Sequence, residues 1–196
     1  MTTLRAFVAI DLPGSVRTAL GDVIERLARR TPAGVVRWVR PASIHLTLKF
    51  LGEVPATSVA ALGQALAAGA HSHGPFDLRL AGLGAFPDPQ RPRVLWLGIG
   101  DTSGGLAGLQ RDLEARLAAL GHPPEARGFS PHLTLGRLRR EASPRQAQQA
   151  GEALLAEGAL DLGEIAVTSV ELFRSELRPT GAVYHRLAEA RLEAGG

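Results

Sequence analysis

The chain contains no cysteine, and this absence excludes disulfide bonds and thiolate metal sites. It also has no apolar stretch approaching the length of a transmembrane helix. The first five residues contain no basic segment leading into a long apolar core, which argues against a signal peptide. We therefore expect no membrane association and a cytoplasmic location.

Lysine is nearly as scarce. The 22 basic residues comprise 21 arginines and a single lysine, Lys49. Arginine is well suited to bidentate contacts with phosphate, but a general bias of the composition toward arginine explains most of these residues. The net charge of +3 does not by itself indicate nucleic-acid binding.

One tetrapeptide, His-Leu-Thr-Leu, occurs twice, at residues 45–48 and 132–135. A shuffled chain of this composition would contain about 0.007 copies, so the repetition indicates internal duplication or a selected site. Side chains alternate between the two faces of a strand. The pattern therefore predicts that His45 and Thr47 share one face of a strand, as do His132 and Thr134, with the leucines opposite. Two such strands side by side would surround one pocket with two imidazoles and two hydroxyls.

Paired histidines suit acid–base chemistry on a phosphodiester, because imidazole titrates near neutral pH. One ring can take a proton from the attacking hydroxyl while the other protonates the leaving oxygen, and the threonine hydroxyls can stabilise the phosphate charge. Arg137 is a further candidate for phosphate contact. Strict alternation puts it on the leucine face, so it reaches the pocket only if the strand ends or bulges near Gly136. Lys49 shares the parity of His45 and is a second candidate.

Hydrophobic periodicity predicts the order β-α-β-α-β twice, with a motif on the middle strand of each unit, and a last short strand. The predicted strands are 4–11, 44–51, 76–83, 93–99, 132–138, 164–173 and 182–187. The predicted helices are 15–30, 57–70, 106–120 and 143–156, the last capped by Ser143. Loops are predicted at 84–92 and 121–128. The chain is thus predicted to be one bilobal domain over residues 1–196, with repeats at approximately 4–87 and 91–187.

Other residues offer weaker candidates. His71 and His73 have a spacing that resembles a metal site, but no third ligand is evident nearby except Asp77. An exposed loop is the favoured interpretation, and no metal or other cofactor is expected. Three aromatic residues are candidates for stacking on a nucleobase: Phe7, Trp38 and Tyr184. Each could equally be a core residue.

These motifs resemble those of the 2H phosphoesterase superfamily, and in particular its RNA 2′,3′-cyclic phosphodiesterases, also called 2′-5′ RNA ligases. The stretches that carry the resemblance are RAFVAIDLP (5–13), VRWVRPASIHLTLKFLGEV (36–54), FSPHLTLGRL (129–138) and ELFRSELRPTGAVYHRL (171–187). The resemblance implies an α+β fold of two pseudo-symmetric lobes whose antiparallel sheets curl around a central cleft. It also implies metal-independent opening of an RNA terminal 2′,3′-cyclic phosphate to a 2′-phosphate.

Carried to matching positions, the resemblance makes His45 the proton donor and His132 the proton acceptor that activates water. Thr47, Thr134 and Arg137 would hold the phosphate. These roles rest on the family alone, because the two motifs are nearly equivalent in sequence. The expected partner is RNA with a cyclic phosphate end, with tRNA fragments and small cyclic nucleotides as further substrates, and the chain is expected to be a monomer. The alternatives are a non-catalytic RNA- or nucleotide-binding module using the same cleft, and a metal-dependent phosphodiesterase using His71 and His73.

Overall fold

The computed structural model describes residues 2–126, 128–178 and 181–193, which form nine strands and four helices. The strands are β1 (Thr3–Ile10), β2 (Val36–Trp38), β3 (Leu46–Pro55), β4 (Phe76–Phe86), β5 (Val94–Gly100), β6 (His132–Leu138), β7 (Asp161–Val167), β8 (Ser169–Arg178) and β9 (Gly181–Arg191). The helices are α1 (Gly14–Arg30), α2 (Val59–Ala70), α3 (Gly105–Ala118) and α4 (Pro144–Leu155). Across the described ranges, no helix is long and apolar enough to cross a membrane.

The strands form two antiparallel sheets. The first sheet has the order β3-β1-β8-β9, and the second has the order β2-β6-β5-β4-β7. The predicted α+β class with antiparallel sheets is therefore confirmed. Each sheet combines strands from both halves of the sequence, because β2 and β4 lie in the second sheet while β8 and β9 return to the first. The two predicted repeats are thus not the two sheets, and their origin by duplication stays a prediction.

The helices bury the apolar stripes that their periodicity predicts. In α1, the buried residues are Val16, Leu20, Val23, Ile24 and Leu27. Helix α2 packs against β8, β9 and α3, and α4 packs against β4 and α1. Ser143 caps α4 as predicted, in a capping box with Gln146. The helix predicted over 106–120 ends earlier than expected, at Ala118, so that Leu120 lies beyond it and is 43% exposed.

Several predicted strand boundaries are wrong. Residues 84–86, expected in a loop, belong to β4, the last strand is longer than 182–187, and β2 was not predicted. The single strand expected over 164–173 is two strands divided at Thr168, with β7 in the second sheet and β8 in the first. Gly52 was expected to end the motif strand, but β3 continues to Pro55. Gly52 has a φ of 72° next to a register shift against β1, so it accommodates a bulge inside the strand.

Candidate active site

The two motifs lie where the sheets meet. His45 directly precedes β3, an edge strand of the first sheet, and His132 begins β6 in the second sheet. Strands β3 and β6 contact each other across the two sheets, although the ladders of the described residues do not pair them. In both copies the two leucines are buried, while the histidine and threonine are half-buried. The predicted alternation is therefore confirmed, and the space between the sheets on the histidine side is called the cleft below.

A bulge in β6 turns Arg137 toward the cleft. Thr134 lies opposite Trp96 on β5, whereas Gly136 lies opposite Leu95, so Leu135 is an extra residue in the ladder. Opposite residues of an antiparallel pair share a face. Leu95 is completely buried in the core, so Gly136 faces the core and Arg137 faces the cleft. Arg137 was expected to reach the pocket only if the strand ended or bulged near Gly136, and the structure has such a bulge at Leu135.

The same bulge occurs in β3 and has the opposite consequence for Lys49. Thr47 lies opposite Ala9 on β1 and Lys49 lies opposite Val8, so Leu48 is the extra residue. Val8 is part of the main core, and Lys49 accordingly points inward and is only 2% exposed. The expectation that Lys49 shares the face of His45 is wrong, because it assumed an unbroken alternation.

The bulge also places an unpredicted aromatic residue on the cleft face. Phe50 lies opposite Phe7, whose side chain belongs to the cleft side of the first sheet, and Phe50 is 56% exposed. Phe50 in β3 therefore occupies the position that Arg137 occupies in β6. Sequence analysis missed Phe50 because its parity places it on the buried face.

An aromatic cluster surrounds His45. Its ring stacks on Phe7 with a centroid distance of 4.6 Å, and Tyr184 meets it edge-on at 5.0 Å. Burial in this cluster lowers the pKa of His45 to about 4, opposed by its bond to the Ser43 carbonyl and by the charge of Asp11. The imidazole is therefore neutral at pH 7 in the unliganded protein.

Backbone carbonyls set the tautomer of both histidines. His45 Nδ1 lies 3.1 Å from the Ser43 carbonyl oxygen, and His132 Nδ1 lies 2.8 Å from that of Ser130. Because a carbonyl only accepts, each Nδ1 carries the proton and each Nε2 keeps its lone pair for a ligand. Sequence analysis missed both serines, although the signal was present: the repeat extends to Ser-x-His-Leu-Thr-Leu in both copies.

His132 has a more open surrounding. Its ring meets Phe86 edge-on at 5.0 Å, and Phe86 in turn contacts Trp96 at 5.3 Å. No aromatic face stacks on His132 among the residues that the structure describes. The two imidazoles thus have the same backbone anchor but different neighbours.

The structure contradicts two of the three base-stacking candidates. Phe7 is 2% exposed and packs against His45, Phe173 and Tyr184, so its ring offers no free face to a base. Trp38 lies opposite Gly136 on the core side of the second sheet and packs against the main core. Tyr184, in contrast, is half-buried beside His45 at the cleft.

Positive charge gathers around Tyr184. Burial raises the pKa of its hydroxyl, and four nearby guanidiniums oppose that effect: those of Arg5, Arg37, Arg40 and Arg137. None of these four forms an ion pair with a carboxylate in the described part of the chain. We call them the arginine group. Such a concentration of one sign of charge is suited to a polyanion.

A polar cavity of about 290 Å³ opens beside His45. Its lining includes Ser43, Tyr184 and Arg186, together with the ion pair of Arg17 and Asp11. Near this cavity, the buried Glu171 accepts hydrogen bonds from the Asp11 N–H at 3.0 Å and from the Ser169 hydroxyl at 2.6 Å. Burial raises the pKa of Glu171. The carboxylate thereby ties the end of β1 to β8 next to the cavity.

The remaining histidine pair is not brought together. His71 Nε2 lies 3.9 Å from Glu193, whereas His73 Nε2 lies 3.5 Å from Asp112 on α3. Within residues 2–126, 128–178 and 181–193, no group of three histidines or carboxylates could hold a metal ion. The structure therefore gives the metal-dependent alternative no donor set.

Comparisons with known proteins agree with this geometry. The family model of the 2′-5′ RNA ligase superfamily matches residues 14–177. An RNA 2′,3′-cyclic phosphodiesterase of Methanothermobacter thermautotrophicus is 32% identical over 96% of this chain and 99% of its own length. One from Thermus thermophilus is 36% identical over 92% of this chain and 86% of its own length.

Solved structures are similar throughout. A crystal structure of a Thermus thermophilus protein superposes with a TM-score of 0.80 at 30% identity, covering 97% of this chain and 99% of that one. E. coli LigT complexed with 3′-AMP superposes with a TM-score of 0.77 at 29% identity and the same coverage. The fold is therefore shared over nearly the whole chain.

Proposed function

The chain belongs to the 2′-5′ RNA ligase superfamily and has its RNA 2′,3′-cyclic phosphodiesterase activity; on that premise, we propose that His45 and His132 perform metal-independent opening of the cyclic phosphate to a 2′-phosphate. The observation that carries this proposal is the matched anchoring of the two imidazoles. Each Nδ1–H donates to a serine carbonyl, which leaves both Nε2 atoms free for acid–base chemistry, and the strands that carry the two motifs, β3 and β6, contact each other.

In the proposed reaction, His132 Nε2 takes a proton from water, and the resulting hydroxide attacks the phosphorus. The bond from phosphorus to the 3′ oxygen breaks, and His45 Nε2 gives that oxygen a proton. The product has a 2′-phosphate and a 3′-hydroxyl. Hydroxyls of Thr47 and Thr134 and the guanidinium of Arg137 hold the non-bridging oxygens, where negative charge develops.

The acid role requires that His45 gains a proton when the substrate binds. Its pKa of about 4 leaves the free imidazole neutral at pH 7. A phosphodiester anion placed beside the ring favours the charged imidazolium and so raises this pKa. Protonation would therefore accompany substrate binding, which limits acid catalysis to the occupied site.

An RNA end, rather than a free nucleotide, is the substrate that the arginine group supports. These four guanidiniums lie around Tyr184 near His45 and have no carboxylate partners in the described residues. With Arg137 at the reacting phosphate, the phosphates that precede the cyclic end can contact Arg5, Arg37 and Arg40. The cyclic phosphate is the reacting group in RNA and in free nucleotides alike. The two substrates therefore differ in the RNA that precedes the cyclic end. Ligation is the same ring opening with the 5′-hydroxyl of a second RNA in place of water: the bond from phosphorus to the 3′ oxygen breaks, and a 2′-5′ phosphodiester forms.

The decisive experiment is hydrolysis, with EDTA present, of an oligoribonucleotide ending in a 2′,3′-cyclic phosphate. We expect the wild type to form the 2′-phosphate and His45→Ala and His132→Ala each to lose about 10³-fold in kcat. His122→Ala, which changes a histidine in the loop before β6, is the matched control and should retain activity. Absence of wild-type turnover, or formation of the 3′-phosphate, would contradict the proposal.

A second substrate separates the two roles. When sulfur replaces the 3′ oxygen, the leaving thiolate needs little protonation. We expect this substrate to restore much of the activity of His45→Ala and none of that of His132→Ala. Selective rescue of His132→Ala instead would reverse the assignment of donor and acceptor.

A further inference from the structure

The single lysine of the chain is a buried group that the proposed reaction does not use. Lys49 follows the bulge at Leu48, which turns its side chain into the core, and it is 2% exposed. A buried ammonium persists in a protein only when partners compensate for its lost hydration. The partners of Lys49 therefore show which parts of the molecule its side chain holds together.

Lys49 makes two short hydrogen bonds to different parts of the molecule. Its Nζ donates to Glu114 Oε2 of α3 at 2.8 Å and to the carbonyl oxygen of Pro123 at 2.8 Å. Glu114 is held in turn by Gln110 Nε2, which donates to Oε1 at 3.2 Å. The ammonium therefore ties the strand of the first motif to α3 and to the segment that follows α3.

That segment leads to the second motif. Its described residues include Pro123, Phe129, which packs against the core, and Ser130, whose carbonyl accepts from His132 Nδ1. Ser130 and His132, the first residue of β6, follow this segment directly. Lys49, on the strand that follows His45, is therefore hydrogen-bonded to the segment that precedes His132.

We propose that Lys49 is a positioning residue for His132, acting through the Pro123 carbonyl and keeping the second imidazole in register with the first. This inference rests on the proposed function of the two histidines. The geometry of an ammonium explains why the position holds lysine in a chain otherwise so rich in arginine. Its compact head donates in three directions and can join a carboxylate and a carbonyl from separate elements, which a planar guanidinium cannot do in the same space.

Two variants isolate the bond to Pro123. Glu114→Gln removes the buried negative charge but leaves the ammonium on the Pro123 carbonyl. The double variant K49M/E114L removes both charges, so it leaves no unpaired ion to unfold the protein, but it also removes the bond to Pro123. Leu27→Ala in α1, where Leu27 is 1% exposed, is a control for loss of stability without loss of the bridge.

We expect K49M/E114L to lose about 10- to 100-fold in kcat on a 2′,3′-cyclic nucleotide, with KM changed less than about threefold, because reaction rates are sensitive to small displacements of a catalytic group. E114Q and L27A, assayed where both are folded, should keep kcat within about twofold of the wild type. A folded double variant with wild-type kcat, or an equal loss in L27A, would overturn the proposal.

Nitrogen NMR of the imidazoles tests the same inference without turnover. In K49M/E114L, the Nδ1–H tautomer of His132 should be partly lost while that of His45 is unchanged, and amide exchange should accelerate in 119–126 and 128–131. Equal disturbance of both histidines would identify a general defect of β3 and overturn the positioning role. If the wild type fails to open any cyclic phosphate, the proposed function fails, while the NMR result still decides whether Lys49 orients His132.

Discussion

The two halves of the cleft are built on the same local design and differ in what surrounds it. In both, a serine carbonyl holds the Nδ1 of a histidine, and a bulge at the last leucine of the motif resets the alternation. Beyond the bulge the halves diverge: Lys49 and Phe50 in the first sheet correspond to Gly136 and Arg137 in the second. The repeated motif therefore sets the geometry of the imidazoles, while the neighbouring strands set their chemistry.

The strands next to the motifs show the same divergence. In the first sheet, Ala9 on β1 lies opposite Thr47, and Glu171 on β8 lies opposite Ala9. In the second sheet, Trp96 on β5 lies opposite Thr134, and Gly84 on β4 lies opposite Trp96. A Cβ on Gly84 would approach the Trp96 ring to 2.2 Å, so this glycine makes room for the indole. Glu171 and Gly84 therefore occupy corresponding positions, and the first is a buried carboxylate while the second leaves room for an indole.

The largest expected difference between the halves concerns acid stability. His45 titrates near 6.5 when unfolded and near 4 when folded, so the unfolded chain binds this proton more tightly. Its contribution to stability is complete above about pH 6.5 and is lost as the pH falls toward 4, by about 3 kcal/mol. Urea unfolding between pH 7.5 and 4.5 should show a smaller loss for His45→Gln than for the wild type. His132→Gln should retain the loss due to His45. Equal losses in the wild type and His45→Gln would refute the buried, neutral state of His45.

Next in size is the contrast between the two residues that follow the bulges. Arg137→Ala should lower kcat/KM on a 2′,3′-cyclic nucleotide by about 10- to 100-fold, because it removes charge-assisted hydrogen bonds to phosphate. Phe50→Ala should act mainly on KM, by about fivefold, if the exposed ring stacks on a base. Steady-state kinetics would show whether the halves divide phosphate and base recognition in this way. Arg137→Lys keeps the charge without the bidentate fork, so its kcat/KM should lie between those of the wild type and Arg137→Ala. Equal effects on kcat for Arg137→Ala and Phe50→Ala would contradict this division of roles.

A smaller effect should separate the arginine group from the other arginines. R37Q/R40Q should raise KM about tenfold for a ten-nucleotide RNA with a cyclic phosphate end, and leave KM for 2′,3′-cyclic AMP unchanged. The matched control is R111Q/R145Q, which removes the same charge from exposed positions on α3 and α4. The difference should shrink near 0.5 M salt, as screening predicts. A rise in KM for both substrates would assign Arg37 and Arg40 to the reacting phosphate rather than to the strand.

The smallest effect is expected at Glu171. Because burial raises the pKa of this carboxyl, its ionised form costs stability above that pKa, and the cost disappears as the pH falls. Glu171→Gln retains an oxygen for the Asp11 N–H and removes the charge. The free energy of unfolding should therefore rise at pH 8 by less than about 1 kcal/mol and converge with that of the wild type in acid. A loss of stability at pH 8 would mean that the charge itself stabilises the end of β1.

Local pattern was sufficient for much of this molecule. The alternation of His45 and Thr47 against two leucines, and the same alternation in the second copy, follows from the two-residue period of a strand. The apolar stripe of α1 and the cap at Ser143 follow equally from local spacing. Even the anchoring serines were present in the sequence as part of a longer repeat. Family membership and activity also followed from these stretches.

The tertiary structure decided what depends on pairing between distant segments. A bulge is defined only against the partner strand, so the sequence could not show that Lys49 turns inward and that Arg137 turns toward the cleft. The exchange of β2 and β4 for β8 and β9 between the sheets likewise depends on which strands pair. The pKa of His45 depends on how far Phe7, Phe173 and Tyr184 exclude water from its ring. The sequence by itself determined the chemical groups and their local faces, whereas long-range packing determined their environments, because desolvation and register are properties of neighbours that the chain brings together only when it folds.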